Sequence, residues 1–77
     1  MRVVKELPLG DIKATIFYWN NKYLLKLEQG LLEQTFKVPE TEISGEQDLE
    51  ALLTEDFLNK ARLRFRDMMA DLQAALF

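Results

Sequence analysis

The sequence predicts an α+β domain, a four-stranded antiparallel β-meander followed by a short helix and a long C-terminal amphipathic helix on one sheet face, a ββββα order. Three observations carry this. Turn chemistry punctuates the first half at Pro8-Leu9-Gly10, Asn20-Asn21, Gln29-Gly30 and Pro39. The intervening runs are rich in β-branched, aromatic and leucine residues. After Pro39 the apolar spacing changes from two to three and four.

The strands are expected near residues 2–7, 11–19, 22–28 and 31–38. The first carries Lys5 and is followed by Pro8, both edge-strand devices, and its Val3-Val4 pair offers an apolar residue to either face. Asn20-Asn21 suits a two-residue hairpin, because asparagine tolerates positive φ at both central positions. That turn sets Trp19 opposite Lys22, Tyr18 opposite Tyr23, Phe17 opposite Leu24, Ile16 opposite Leu25 and Ala14 opposite Leu27. If Gln29-Gly30 closes the next hairpin in the same way, Leu27 meets Leu32, Leu25 meets Gln34 and Tyr23 meets Phe36. The inner face then carries Ile12, Ala14, Ile16, Tyr18, Tyr23, Leu25, Leu27, Leu32, Phe36 and Val38, with Gln34 as a polar misfit that needs a rim position or a hydrogen bond.

Pro39-Glu40-Thr41-Glu42 reads as a linker. Ser44 with Gln47 three positions on has the capping-box pattern and opens a short helix within residues 44–53. Thr54 is a second N-cap, with Glu55 and Asp56 where the helix dipole favours acids. From there Leu58, Ala61, Phe65, Met68, Leu72 and Ala75 form one stripe, making residues 54–77 a long helix whose apolar side covers the inner face of the sheet. Arg62-Leu63-Arg64-Phe65-Arg66 alternates like a strand, but the surrounding spacing makes it helical and splits its arginines between flanks. Leu63, Ala70 and Ala74 form a small patch opposite the stripe. No repeat or low-complexity tract interrupts residues 1–77, so they form one domain.

Composition narrows function mainly by exclusion. The chain has 77 residues, 48% hydrophobic and 30% charged, the profile of one globular domain with a single small core. Histidine and cysteine are absent, which removes the commonest general base, the usual transition-metal ligands and the strongest nucleophile. No catalytic residue and no cofactor site is expected. Ser44 is the only serine and has a capping explanation; the glycines at 10, 30 and 45 are isolated and cradle no phosphate. Glu40, Glu42, Glu46, Asp48 and Glu50 do not follow calcium-loop offsets and read as a solvated acidic helix start, not a metal site. The N-terminus lacks a signal-peptide pattern and no run has membrane-spanning length, so a cytoplasmic location and no membrane association are expected. The net charge of -3 conceals a mildly basic sheet half and an acidic helical half, which argues against a general duplex-DNA binder.

One constellation remains. The outer sheet face presents Phe17, Trp19 and Leu24 with Thr15 and Thr35, rimmed by Lys13, Lys22, Lys26 and Lys37 and diluted by Glu28 and Glu33. Such a face suits the centre of a protein interface, with a second copy of the chain as the first expectation. The alternative is single-stranded nucleic acid, with bases stacked on the aromatics and phosphates tracked by lysines. A third arrangement, in which a helix covers this face within the molecule, would leave the other face bare. The candidate partner-binding residues are Phe17, Trp19, Leu24, Lys22, Lys26 and Thr35. Four antiparallel strands followed by one long helix is similar in topology to the single-stranded-DNA-binding regulator fold of Whirly proteins and Pur-type repeats, which pair two such units. That resemblance implies a dimer and keeps nucleic acid as the alternative ligand, although the acidic second half departs from such a binder.

Overall fold

The computed structural model describes residues 1–77. Strands β1 (Arg2–Leu9), β2 (Ile12–Trp19), β3 (Lys22–Gln29) and β4 (Leu32–Pro39) form one open antiparallel sheet in sequence order. A 3-10 turn over Glu40–Glu42 follows, then α1 (Glu46–Ala51) and α2 (Glu55–Leu76). The expected α+β architecture is present.

Asn20 and Asn21 both take positive φ, 54° and 62°, and the β2–β3 register is the one this turn dictates, with Phe17 opposite Leu24 and Tyr18 opposite Tyr23. The β3–β4 turn differs from expectation. Gly30 opens it at φ 59° and Leu31 is its second residue, so Gln29 pairs with Leu32, Leu27 with Gln34, Leu25 with Phe36 and Tyr23 with Val38. The reason lies in the glycine: a single positive-φ residue fits the first central position of a tight turn, and the neighbouring residue is then thrown outward. Leu31 is 92% exposed. The slide is two residues, which preserves the face of every side chain.

The first hairpin also closes on two residues, Gly10 and Asp11, rather than on three, and β1 runs on through Leu9. A bulge between Val3 and Lys5 lets Val3 face outward beside Phe17 while Val4 packs on the core. Pro39 completes β4, and the expected linker is instead the 3-10 turn.

The core lies between the inner sheet face and the helices. Ile12, Ala14, Ile16, Leu25 and Leu27 are fully buried against Leu49, Leu58, Ala61 and Phe65. Thr54 caps α2 as expected, its Oγ1 accepting from the Phe57 amide at 3.2 Å. The capping box at Ser44 does not form. Gly45 is the N-cap of α1, and the Ser44 backbone N–H instead donates to Asp48 Oδ2 at 2.6 Å. Gln34 resolves its misfit through two bonds, donating to the Ala61 carbonyl at 3.0 Å and accepting from Arg64 Nε at 2.7 Å.

α2 covers less of the sheet than its apolar stripe implies. Leu58, Ala61 and Phe65 are buried and Met68 half-buried, but everything from Ala70 onward is exposed. Its 22 residues extend about 33 Å at about 1.5 Å per residue, and α2 runs past the β3–β4 turn, contributing to a long axis of 44 Å. No helix is long and apolar enough to cross a membrane.

Candidate functional site

The outer face is built by alternation. Every second residue of the four strands points away from α2, and the apolar cluster that joins sheet to helices contains none of them. The registers order this face into rows: Trp19 beside Lys22, then Val3, Phe17, Leu24 and Lys37, then Glu6, Thr15, Lys26 and Thr35, then Pro8, Lys13, Glu28 and Glu33. Phe17, Trp19 and Leu24 therefore do come together as one patch. Val3 joins them through the bulge, a contribution the sequence pattern did not single out.

The patch is graded rather than flat. Trp19 is 51% exposed and Phe17 half-buried, while Leu24 is 8% exposed and Thr15 3%. Leu24 lies between Phe17 and Lys37, and Thr15 between Glu6 and Lys26, so long neighbouring side chains shield both without any covering element. Leu24 thus serves as the floor of the patch and Trp19 as its raised edge.

The lysines divide into two kinds. Lys26 Nζ lies 5.4 Å from the centre of the Phe17 ring and within 3.7 Å of Glu28 and 3.8 Å of Glu33. It bridges two carboxylates that face each other across β3 and β4, and it occupies one face of Phe17. Lys13 pairs with Glu6 at 3.6 Å. Lys22 and Lys37, at the Trp19 end, have no carboxylate within ion-pair distance. The face is therefore polarised along the strands, with free cations beside the aromatics and carboxylates at the far end. Thr35 sits on the exposed β4 edge, away from the aromatic row.

The Tyr18–Tyr23 pair occupies the opposite face at the same end of the sheet, ring centres 5.1 Å apart in an edge-to-face arrangement. Tyr18 donates to Glu40 at 2.7 Å. That hydrogen bond, with desolvation and the Glu40 charge adding to it, raises the phenol above its ordinary pKa.

One concave feature escaped the sequence reading. A groove of about 550 Å³ lies where α2 passes the β3–β4 turn, bounded by Gly30, Leu32, Phe65, Arg66 and Met69. It arises from the overhang, which no local pattern reveals. No three acidic side chains converge on a point that could hold a metal ion.

No family model, curated protein or solved structure matches the chain. The outer face must therefore be interpreted from its own chemistry.

Proposed function

We propose that this chain is a non-catalytic protein-binding domain that uses its outer sheet face. The observation that supports the reading is the pairing of a half-exposed Trp19 and half-buried Phe17 over a Leu24 floor with two unpaired lysines at the same end. An aromatic anchor beside a desolvated floor is the arrangement of an interface centre, and Lys22 and Lys37 add a polar rim. The chemistry selects a partner segment with an apolar or aromatic anchor flanked by carboxylates.

Selection of a displayed peptide library against the folded domain tests this. Enriched sequences should combine such an anchor with Asp or Glu, blue-shift Trp19 emission on binding, and lose at least about tenfold in affinity in Trp19→Ala, the cost of about 1.4 kcal/mol at a hot spot. Binding that is indifferent to Trp19→Ala, or no enrichment, would overturn it.

Single-stranded nucleic acid is the second reading, favoured by the exposed Trp19 ring beside Lys22 and Lys37. It ranks lower because Lys26 occupies one face of the Phe17 ring, and Glu28 and Glu33 share the surface. Quenching of Trp19 by oligo-dT, reversed steeply by salt, would reverse the ranking.

A further inference from the structure

The two edges of the sheet are built differently. β1 carries a bulge between Val3 and Lys5, a lysine in its ladder and Pro8, three devices that blunt an edge against pairing. Between Leu32 and Val38 β4 has no bulge and no proline, and its one lysine, Lys37, shares the outer face with Glu33. Its register with β3 is unbroken along the whole strand, and its one proline is the last residue.

The backbone groups that face this open edge can be assigned. The Glu40 amide donates to the Asn21 carbonyl at 3.2 Å, which continues the β3–β4 ladder and marks the even-numbered residues of β4 as those bonded to β3. In an antiparallel ladder the bonded positions alternate, so Glu33, Thr35 and Lys37 direct their N–H and C=O groups to solvent. These are also the outer-face residues of β4, and they read acid, neutral, base.

We propose that a second copy of this chain adds to the β4 edge in antiparallel fashion about a two-fold axis through Thr35, joining two sheets into one. Thr35 then meets its own symmetry mate, Glu33 meets Lys37 of the second copy, and Lys37 meets the second Glu33. All three are hydrogen-bonded pairs, giving about six backbone bonds across the joint. On the inner face Leu32 meets Val38 and Gln34 meets Phe36, extending the apolar row across the dyad.

The charges choose this register over its neighbours. A dyad at Gln34 or Phe36 separates Glu33 from Lys37, and a dyad at Glu33 or Lys37 sets like charges face to face, which is unfavourable on adjacent strands. Only Thr35 pairs opposite signs on both sides. It also gives Lys37 the carboxylate it lacks in the single chain. Arg64, the exposed inner-face cation at this edge, is engaged by Gln34 and the Phe36 ring, on the side of β4 opposite the Glu33 and Lys37 that set the register. The joint leaves both outer faces free and on the same side. With five strand spacings of about 4.8 Å between the two β2 strands, the aromatic patches stand roughly 25 Å apart laterally.

The test is the mass of the full chain in solution by sedimentation or light scattering over a dilution series from about 100 µM, where a micromolar Kd gives mostly dimer, to about 1 µM, where a tenfold loss of affinity gives mostly monomer. Wild type should be dimeric. Thr35→Pro should be monomeric yet folded by circular dichroism, because proline there removes only an outward-facing N–H. Lys37→Glu should weaken the dimer at least about tenfold by placing carboxylates opposite each other, and the charge-swapped double variant Glu33→Lys with Lys37→Glu should recover it. Trp19→Ala should leave the mass unchanged. A monomeric wild type, a dimer that survives both Thr35→Pro and Lys37→Glu, or one dissolved by Trp19→Ala would each overturn the proposal. Peptide binding on the outer face is read separately through Trp19 emission, and Thr35→Pro, which leaves Phe17, Trp19, Leu24, Lys22 and Lys37 in place, separates failure of the dimer from failure of that reading.

Discussion

The two faces of this sheet are made by the same strands, residue by alternate residue, and differ in what lies above them. On the inner face Leu25 and Ile16 meet Leu58, Ala61 and Phe65 and are fully buried. On the outer face Phe17 and Leu24, their immediate chain neighbours, meet only each other, Val3 and the stems of lysines. Apolar character is thus similar on both sides, and covering separates core from surface. The sharpest way to break the comparison is to truncate one phenylalanine on each side. Phe65→Ala should cost about 3–5 kcal/mol in urea unfolding, a large share of the stability of a domain this small. Phe17→Ala should cost under about 1 kcal/mol, because its cavity opens to water. Equal losses would mean that the outer face is covered in solution by something other than its own side chains.

The next largest effect concerns the polar residue placed inside the covered face. Gln34 spends its amide on the Ala61 carbonyl and its oxygen on Arg64, tying β4 to α2 at mid-helix. Gln34→Ala should cost about 1–2 kcal/mol, since it removes the part-buried bond to the Ala61 carbonyl together with the exposed one from Arg64. Thr35→Ala, one residue on and facing outward, should stay within about 0.5 kcal/mol for the monomer in the same urea titration.

These contrasts also explain what the sequence disclosed. The faces were legible because a period of two needs only the correct parity, and even the β3–β4 turn, misplaced by one residue so that the pairing shifts by two, kept Leu25 and Leu27 inside. Asn20-Asn21 fixed its register because both residues had to take positive φ. Gly30 did not, since a lone glycine can open a tight turn or close one. Ser44 and Gln47 matched a capping box in spacing, yet Ser44 used its backbone N–H toward Asp48. The candidate patch was legible in Phe17, Trp19 and Leu24, whereas Val3 required a bulge that leaves no local mark in sequence. The overhang was hidden for a different reason: helical periodicity reports which side of α2 is apolar, and nothing about where the sheet beneath it ends.

A smaller, pH-dependent effect separates the two faces at the Asn20-Asn21 end. Tyr18 on the inner side is tied to Glu40, while Trp19 beside it is untied. Because the hydrogen bond to the Glu40 carboxylate raises the folded pKa of Tyr18 above 10.0, its contribution is fully present below that pH and is lost as pH rises through the raised value. Tyrosinate absorbance should show Tyr18 ionising later in wild type than in Glu40→Gln. Superimposable titration curves would mean that the Tyr18–Glu40 bond does not persist in solution.

The smallest expected effect tests the comparison along α2 itself. Phe65 and Leu72 belong to the same stripe, one buried and the other beyond the sheet. If covering decides the energetics, Leu72→Gln should change unfolding stability by no more than about 0.5 kcal/mol, because glutamine keeps good helix propensity and Leu72 is exposed rather than packed in the core. The same substitution at Leu58, which is buried under the first half of the helix, replaces a packed aliphatic with an amide that lacks partners. A loss at Leu72 approaching that at Leu58 would show that the overhang is packed in solution. A loss tied to a second copy would also depend on concentration, and dilution would separate that contact from one within the chain.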